Sequence, residues 1–159
     1  MIKIIAVGKI KEPYLVDLVN DYVARANKFY KLQVIEIPDD MIQTEGKRIL
    51  GLIQKRGYNI ALDIKGKLVD SPQFSELIAE TLMHKADINF IIGGSNGLSK
   101  EVLEMVDESI SFSALTFPHG LFRGLLAEQI YRAGTIKNNH PYHKWWLFFY
   151  CVKLYKNIN

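Results

Sequence analysis

The stretch Ile88-Asn89-Phe90-Ile91-Ile92-Gly93-Gly94-Ser95-Asn96-Gly97 decides the class of fold. Its first five residues are a short, mostly apolar run, which is typical of a strand buried on both faces of a parallel sheet. The glycines that follow let a ligand approach the backbone closely, at the end of a strand where parallel sheets bind ligands. The segment matches neither the dinucleotide fingerprint G-x-G-x-x-G nor a P-loop. On its own it therefore also fits a plain strand-to-helix turn.

Strand and helix patterns alternate on both sides of this stretch. Together with Ile88–Ile92, apolar runs predict strands at Ile2–Val7, Leu32–Ile37, Tyr58–Ile64 and Ile110–Leu115. Helical spacing of apolar residues connects them, and Pro118 is expected to start a last helix that ends near Ala133. Gly66 is expected to open a turn and Ser71 to cap a helix. Strands separated by helices need right-handed crossovers, so the sequence predicts an α/β fold, one domain with a parallel sheet of about five strands.

Composition excludes several classes of protein. A chain of 159 residues is long enough for one domain, and 48% hydrophobic with 23% charged residues excludes intrinsic disorder. Cys151 is the single cysteine, which excludes a disulfide framework, and His140 with His143 lacks a third ligand, so no metal is expected. The N-terminus is not a signal peptide, and the most apolar stretch, Trp145–Val152, is too short to span a bilayer. A cytoplasmic protein without a membrane partner is expected.

Positive charge is concentrated toward the C-terminus. Residues 1–117 carry 14 Lys and Arg against 16 Asp and Glu, whereas residues 118–159 carry six against Glu128 alone. Three of the four histidines lie in this second part. Such a segment is typical of a polyanion-binding or catalytic site, and a solvated basic tail fits the charge count equally well.

Two groups of polar residues in this basic part could carry chemistry. Glu128 and Arg132 lie one helical turn apart, which is also the spacing of an ordinary helix-stabilising ion pair. Tyr142, His143 and Lys144 follow Pro141 outside any predicted helix. An aromatic and basic loop of this kind suits stacking on a base and contact with phosphate.

Four motifs, taken together, resemble one known family: FIIGGSNGL at 90–98, SFSALTFPH at 111–119, LAEQIYRA at 126–133 and PYHK at 141–144. In this order and spacing they are similar to the bacterial large-subunit ribosomal RNA pseudouridine N3-methyltransferases, small members of the SPOUT methyltransferase class. The resemblance defines a methyltransferase domain at 1–144.

Residues 145–159 form an atypical aromatic C-terminal extension. An added dimer-interface element and a merely tolerated extension explain it equally well.

The resemblance implies an α/β fold with a C-terminal trefoil knot, a homodimer, and S-adenosylmethionine as methyl donor. The implied substrate is N3 of one pseudouridine in 23S ribosomal RNA within the assembled ribosome. Carried over by motif, the cofactor-binding residues are Leu62, Gly93, Gly94, Gly97, Phe112, Ser113, Ala114, Leu115, Thr116 and Phe117. Apolar side chains and free backbone groups at these positions suit an adenine ring.

The implied reaction must also remove the imide proton of N3, so a base or a stabiliser of the anion is needed. We expect this catalytic role from His143, Glu128 and Arg132, with His119 as a further candidate base. The expected RNA contacts are His119, Arg123, Tyr142 and Lys144.

Two other functions compete with this one. A non-catalytic RNA-binding or ribosome-assembly module could keep the same fold. A nucleotide-dependent oxidoreductase on an open sheet would need the glycine fingerprint and an acidic residue placed after it, and the sequence has neither.

Overall fold

The computed structural model describes residues 1–53 and 57–143. Five strands alternate with five helices: β1 (Ile2–Val7), α1 (Pro13–Ala26), β2 (Leu32–Ile37), α2 (Ile42–Leu52), β3 (Tyr58–Leu68), α3 (Ser71–His84), β4 (Ile88–Ile92), α4 (Lys100–Met105), β5 (Glu108–Ser111) and α5 (His119–Lys137). The extension predicted at 145–159 lies outside the described residues, as does Lys144.

All five strands are parallel and follow the order β2-β1-β4-β3-β5, so the predicted α/β class is confirmed. Helices cover both faces of the sheet, and residues of β1 alternate between two apolar cores. Ile4 belongs to the larger core with α1, α3 and α5, whereas Ile5 belongs to the smaller core with α2 and α4. Burial on both faces explains why the central strands are continuous apolar runs. The implied trefoil knot stays a prediction.

The structure corrects four details of the predicted elements. β5 ends at Ser111, and the residues up to Pro118 form a loop instead of continuing the strand. α5 continues to Lys137 rather than ending near Ala133. Asp70, not Ser71, caps α3, because its side chain accepts a hydrogen bond from the backbone N–H of Gln73.

The fourth correction concerns Gly66, which lies inside β3 and opens no turn. β3 pairs with Ile110 of β5 twice, first through Leu62 and then through Lys67, so the four residues 63–66 bulge out of the ladder. A Cβ on Gly66 would lie 2.6 Å from the backbone nitrogen of Ile110, so only glycine lets the two strands approach this closely. The bulge brings residues 63–66 to the edge where the parallel strands end.

Candidate active site

A cavity of about 330 Å³ opens at the carboxyl edge of the sheet. The ends of β3, β4 and β5, the loops that follow them, and the first turn of α5 form its walls. Nine of the ten predicted cofactor-binding residues line it: Leu62, Gly93, Gly94, Gly97, Phe112, Ser113, Leu115, Thr116 and Phe117. The tenth, Ala114, is exposed and does not line the cavity. Segments distant in sequence thus meet at one site, as the topology predicts.

The glycine-rich loop after β4 forms one wall through its backbone. Gly97 has φ +78° and its N–H donates to the carbonyl of Gly94 at 3.0 Å, which closes a tight turn. A Cβ on Gly93 would lie 2.5 Å from the carbonyl oxygen of Gly97. Because a side chain there would push the turn open, the loop keeps its backbone close to the cavity only with glycine at this position.

The loop at 112–118 forms the opposite wall. Ser111 Oγ donates to the carbonyl of Ser113 at 2.9 Å, and the N–H of Leu115 donates to Ser113 Oγ at 3.0 Å. The ring of Phe117 stacks on Phe122 with centroids 6.0 Å apart. Local serine hydrogen bonds and aromatic packing therefore fix this loop without strand pairing.

Several cavity residues were not among the predicted cofactor-binding positions. They are Asp63, Ile64, Ile92, Ser95, Leu98, Ile110, Ser111, His119 and Phe122. Ile92 and Ile110 could have been found from their place at or near strand ends. His119 lies in the cavity wall at the start of α5, and its predicted contact with RNA stays a prediction.

A second polar group lies farther along α5, where four of the predicted site residues meet. Glu128 Oε1 accepts hydrogen bonds from Arg132 Nε at 3.0 Å and from the hydroxyl of Tyr142 at 3.0 Å. Gln129 Nε2 donates to Glu128 Oε2 at 2.7 Å. Arg132 Nη1 lies 3.4 Å from Nδ1 of His143, and its guanidinium lies 4.9 Å from the centre of the Tyr142 ring. We call Glu128, Arg132, Tyr142 and His143 the α5 cluster.

The environment of the α5 cluster shifts two pKa values in defined directions. The pKa of Tyr142 is raised by burial, by a hydrogen bond with Tyr22 and by the charge of Glu128, so the phenol stays protonated. The pKa of His143 is lowered below its usual 6.5 by burial and by the neighbouring Arg132, which together outweigh Glu128. The imidazole is therefore neutral at pH 7.

Arg123 occupies a different position from the one predicted. Its side chain is only 2% exposed, Nη1 donates to Glu36 Oε1 at 2.7 Å, and Nη2 donates to the carbonyl of Val7. A guanidinium buried and paired in this way has little surface left for the predicted contact with RNA, which stays a prediction. The guanidinium ties α5 to the ends of β1 and β2, which the sequence could not reveal because Glu36 is 87 residues away.

The cavity and the α5 cluster are separate within one chain. None of the four cluster residues lines the cavity. Phe122 is the last residue of α5 that does, and Arg132 lies ten residues beyond it, about 15 Å along the helix axis.

The described part of the chain contains neither a metal-binding cluster nor a membrane-spanning helix. No group of three or more His, Cys, Asp or Glu side chains there is placed to hold a metal ion. None of the helices within 1–53 and 57–143 is long and apolar enough to cross a membrane.

Comparison with known proteins gives matches along nearly the whole chain. Curated relatives named "Ribosomal RNA large subunit methyltransferase H" are 43% identical in Enterococcus faecalis and 44% in Carboxydothermus hydrogenoformans, each over 157 residues, covering 90% of this chain and 99% of the relative. "Ribosomal RNA large subunit methyltransferase H 1" of Clostridium perfringens is 42% identical over the same length and coverage.

Solved structures share the fold at low sequence identity. A probable methylase family protein from Haemophilus influenzae matches with a TM-score of 0.54 and 12% identity, covering 99% of this chain and 79% of that one. The tRNA (m1G37) methyltransferase from Aquifex aeolicus matches with a TM-score of 0.50 and 16% identity, covering 82% and 68%. A family model described as "Predicted SPOUT methyltransferase" matches residues 1–143. The chain belongs to the SPOUT methyltransferase family.

Proposed function

We propose that this protein transfers a methyl group from S-adenosylmethionine to N3 of a pseudouridine in large-subunit ribosomal RNA, in the assembled ribosome and as a homodimer. The observation that carries the proposal is the convergence of two loops, 93–97 and 112–117, on one cavity at the carboxyl edge of the sheet. Relatives at 42–44% identity, named as large-subunit ribosomal RNA methyltransferases, support the RNA class.

The residues of the cavity suit S-adenosylmethionine. Its volume of about 330 Å³ lies within the ordinary range for small-molecule sites. Phe112, Leu115 and Phe117 supply apolar and aromatic surface for an adenine ring, while Gly93 and Gly94 leave backbone groups to bond polar atoms. When bound, S-adenosylmethionine supplies a methyl group that its sulfonium charge has already activated.

The remaining chemistry is the removal of the imide proton from N3. The donor would supply the methyl group and keep the electron pair of the broken bond, while this chain's residues would have to take up the proton that N3 loses. We assign stabilisation of the developing imide anion to Arg132, which Glu128 holds in place through two hydrogen bonds. Glu128 already accepts hydrogen bonds from Arg132, Tyr142 and Gln129, so it suits the holding role better than that of a base.

His143 is the residue we assign as proton acceptor. A neutral imidazole keeps one ring nitrogen without a proton, and that nitrogen can accept the proton of N3. The lowered pKa keeps the ring neutral near pH 7, which a general base requires. The proton then passes to solvent, because an imidazolium beside Arg132 is disfavoured.

A second copy of the chain would join the cavity to the α5 cluster. Arg132 lies about 15 Å along α5 from the cavity wall of its own chain, too far to reach a base held there. Large apolar side chains beside the cavity are exposed, with Leu115 at 70% and Leu68 at 66%. Packing two such surfaces together would bury them and would bring one chain's cluster to its partner's cavity.

Recognition of the substrate fits an assembled ribosome better than naked RNA. The formal net charge is only +3, and the first 117 residues are slightly acidic. Affinity for nucleic acid from phosphate contacts alone is therefore expected to be weak. The proposal also places the protein in the cytoplasm with its substrate.

The experiment is transfer of labelled methyl from S-adenosylmethionine to ribosomes, and separately to free ribosomal RNA, from cells that lack this protein. We expect label only in assembled ribosomes, at N3 of one pseudouridine. Cofactor binding without transfer to either substrate would contradict the enzyme and support a non-catalytic ribosome-assembly module. Label at another atom would contradict the assigned position.

A further inference from the structure

The cavity at the carboxyl edge has an unusual charge distribution. Asp63 is the sole carboxylate among the described residues that line it, and His119 is the sole other titratable side chain. No lysine or arginine within residues 1–53 and 57–143 lines the cavity. Among these residues the carboxylate of Asp63 therefore has no lysine or arginine beside it in the lining to offset its negative charge.

Asp63 reaches this position because of the bulge in β3. Leu62 is the last residue of β3 that pairs with β4, opposite Ile92, and residues 63–66 then leave the ladder before Lys67 resumes pairing with β5. The half-buried Asp63 is the first residue of this excursion. Its position is fixed by backbone register and by the close approach of Gly66 to Ile110.

The carboxylate of Asp63 accepts a backbone hydrogen bond but forms no ion pair with a described residue. Its Oδ1 accepts a hydrogen bond from the N–H of Lys65 at 2.9 Å. In residues 1–53 and 57–143, no Lys, Arg or His nitrogen forms an ion pair with it, and the Lys65 side chain is exposed. Glu45 is a buried acid next to Gly94 but outside the lining, and it accepts a hydrogen bond from the N–H of Asp40.

We propose that Asp63 determines the charge preference of the cofactor site, favouring the cationic sulfonium of S-adenosylmethionine over the neutral thioether of S-adenosylhomocysteine. The inference rests on the proposed function, because it concerns the donor of that reaction. The two molecules differ by one methyl group and one positive charge, and a lone carboxylate in a partly desolvated cavity attracts only the charged sulfur. Methyl transfer removes that charge, so the same residue would favour release of the product.

The test is calorimetric titration of the RNA-free protein with S-adenosylmethionine and with S-adenosylhomocysteine. Asp63→Asn keeps the shape and the Oδ1 acceptor for Lys65 but removes the charge. We expect it to weaken binding of S-adenosylmethionine by about tenfold and of S-adenosylhomocysteine by less than about twofold. Asp63→Glu keeps the negative charge and is expected to retain the preference for S-adenosylmethionine over S-adenosylhomocysteine.

A matched control is Asp39→Asn. Asp39 is an exposed carboxylate that follows β2 at the same edge of the sheet but does not line the cavity. It is expected to leave both affinities unchanged.

Four outcomes would overturn the assignment of Asp63. In Asp63→Asn, these are an equal loss of affinity for both ligands, or no loss of affinity for either. The third is that Asp63→Glu no longer binds S-adenosylmethionine more tightly than S-adenosylhomocysteine. The fourth is that Asp39→Asn changes the affinities as much as Asp63→Asn does. If the wild-type protein did not bind S-adenosylmethionine at all, the proposed function itself would be overturned. The wild-type titration comes first, so this outcome is known before any variant is compared.

Discussion

The two ends of α5 present different kinds of surface. Its first turn contributes His119 and Phe122 to a cavity built mainly from backbone and apolar side chains. Three turns later, Glu128 and Arg132 join Tyr142 and His143 in a hydrogen-bonded, charged cluster. The first end suits binding of a donor that is already activated, and the second suits control of charge and protons. Under the proposed function, the cavity holds the methyl donor and the α5 cluster handles the acceptor, so substitutions should disrupt these two roles independently.

The largest expected effect comes from Arg132→Ala. Removing the guanidinium takes away the positive charge to which we assign stabilisation of the developing anion. The rate of methyl transfer should therefore fall by about 10²–10³-fold. Affinity for S-adenosylmethionine, measured by calorimetry, should stay within about twofold, because Arg132 does not line the cavity. Lys137→Ala, an exposed residue at the end of the same helix, is the matched control and should change neither quantity. If Arg132→Ala lost affinity for S-adenosylmethionine as strongly as it lost methyl transfer, the two ends of α5 would not have separate roles.

Arg123 holds the cavity end of α5 in place, and its replacement tests that anchor. Arg123→Met leaves the carbonyl of Val7 and the partly exposed Glu36 without their partner, so unfolding free energy should fall by about 1–3 kcal/mol in chemical denaturation. Arg25→Met is the control, because Arg25 pairs with Asp21 on the surface, where both side chains are about half exposed. That pair should contribute little, because solvent screens the attraction between exposed charges. Equal effects for the two variants would contradict an anchoring role.

Gly93→Ala tests whether cofactor binding depends on the tight turn at residues 93–97. The new Cβ would lie 2.5 Å from the carbonyl oxygen of Gly97, which forces a local shift costing about 1–3 kcal/mol. Affinity for S-adenosylmethionine should then fall by about ten- to a hundredfold. Gly51→Ala is the control, since a Cβ there meets nothing within 4 Å and alanine favours the α2 helix. Unchanged affinity in Gly93→Ala would exclude the glycine loop from the donor site.

The smallest expected effect is a shift in the titration of His143, followed by NMR of its imidazole. The pKa should lie below 6.5 in the wild-type protein and rise in Arg132→Ala, because the charge that lowers it is gone. Since the folded pKa is depressed, the unfolded chain binds more protons between the folded pKa and 6.5. The contribution of His143 to stability therefore falls as pH drops through that window and is constant above it. A pKa above 6.5 would contradict a neutral proton acceptor.

The sequence predicts some features of these two ends much better than others. The five parallel strands could be predicted because burial on both faces leaves continuous apolar runs such as Ile88–Ile92. Half of the described cavity residues were predicted, and they came mainly from the resemblance of the motifs at 90–98 and 111–119 to a known family. The bulge at 63–66 could not, because it depends on the register between β3 and β5, which local sequence does not contain. Burial of Arg123 was missed for a similar reason, since its partner Glu36 is distant in the chain.

Mixing two inactive variants shows whether one chain's cavity works with another chain's α5 cluster. Gly93→Val disables the cavity and keeps the cluster, whereas Arg132→Ala does the reverse. When the two are denatured and refolded together, half of the dimers are mixed and each holds one intact site, so about a quarter of wild-type methyl transfer to ribosomes should return. Activity no higher than that of either variant alone would show that both parts act within one chain and would contradict the account.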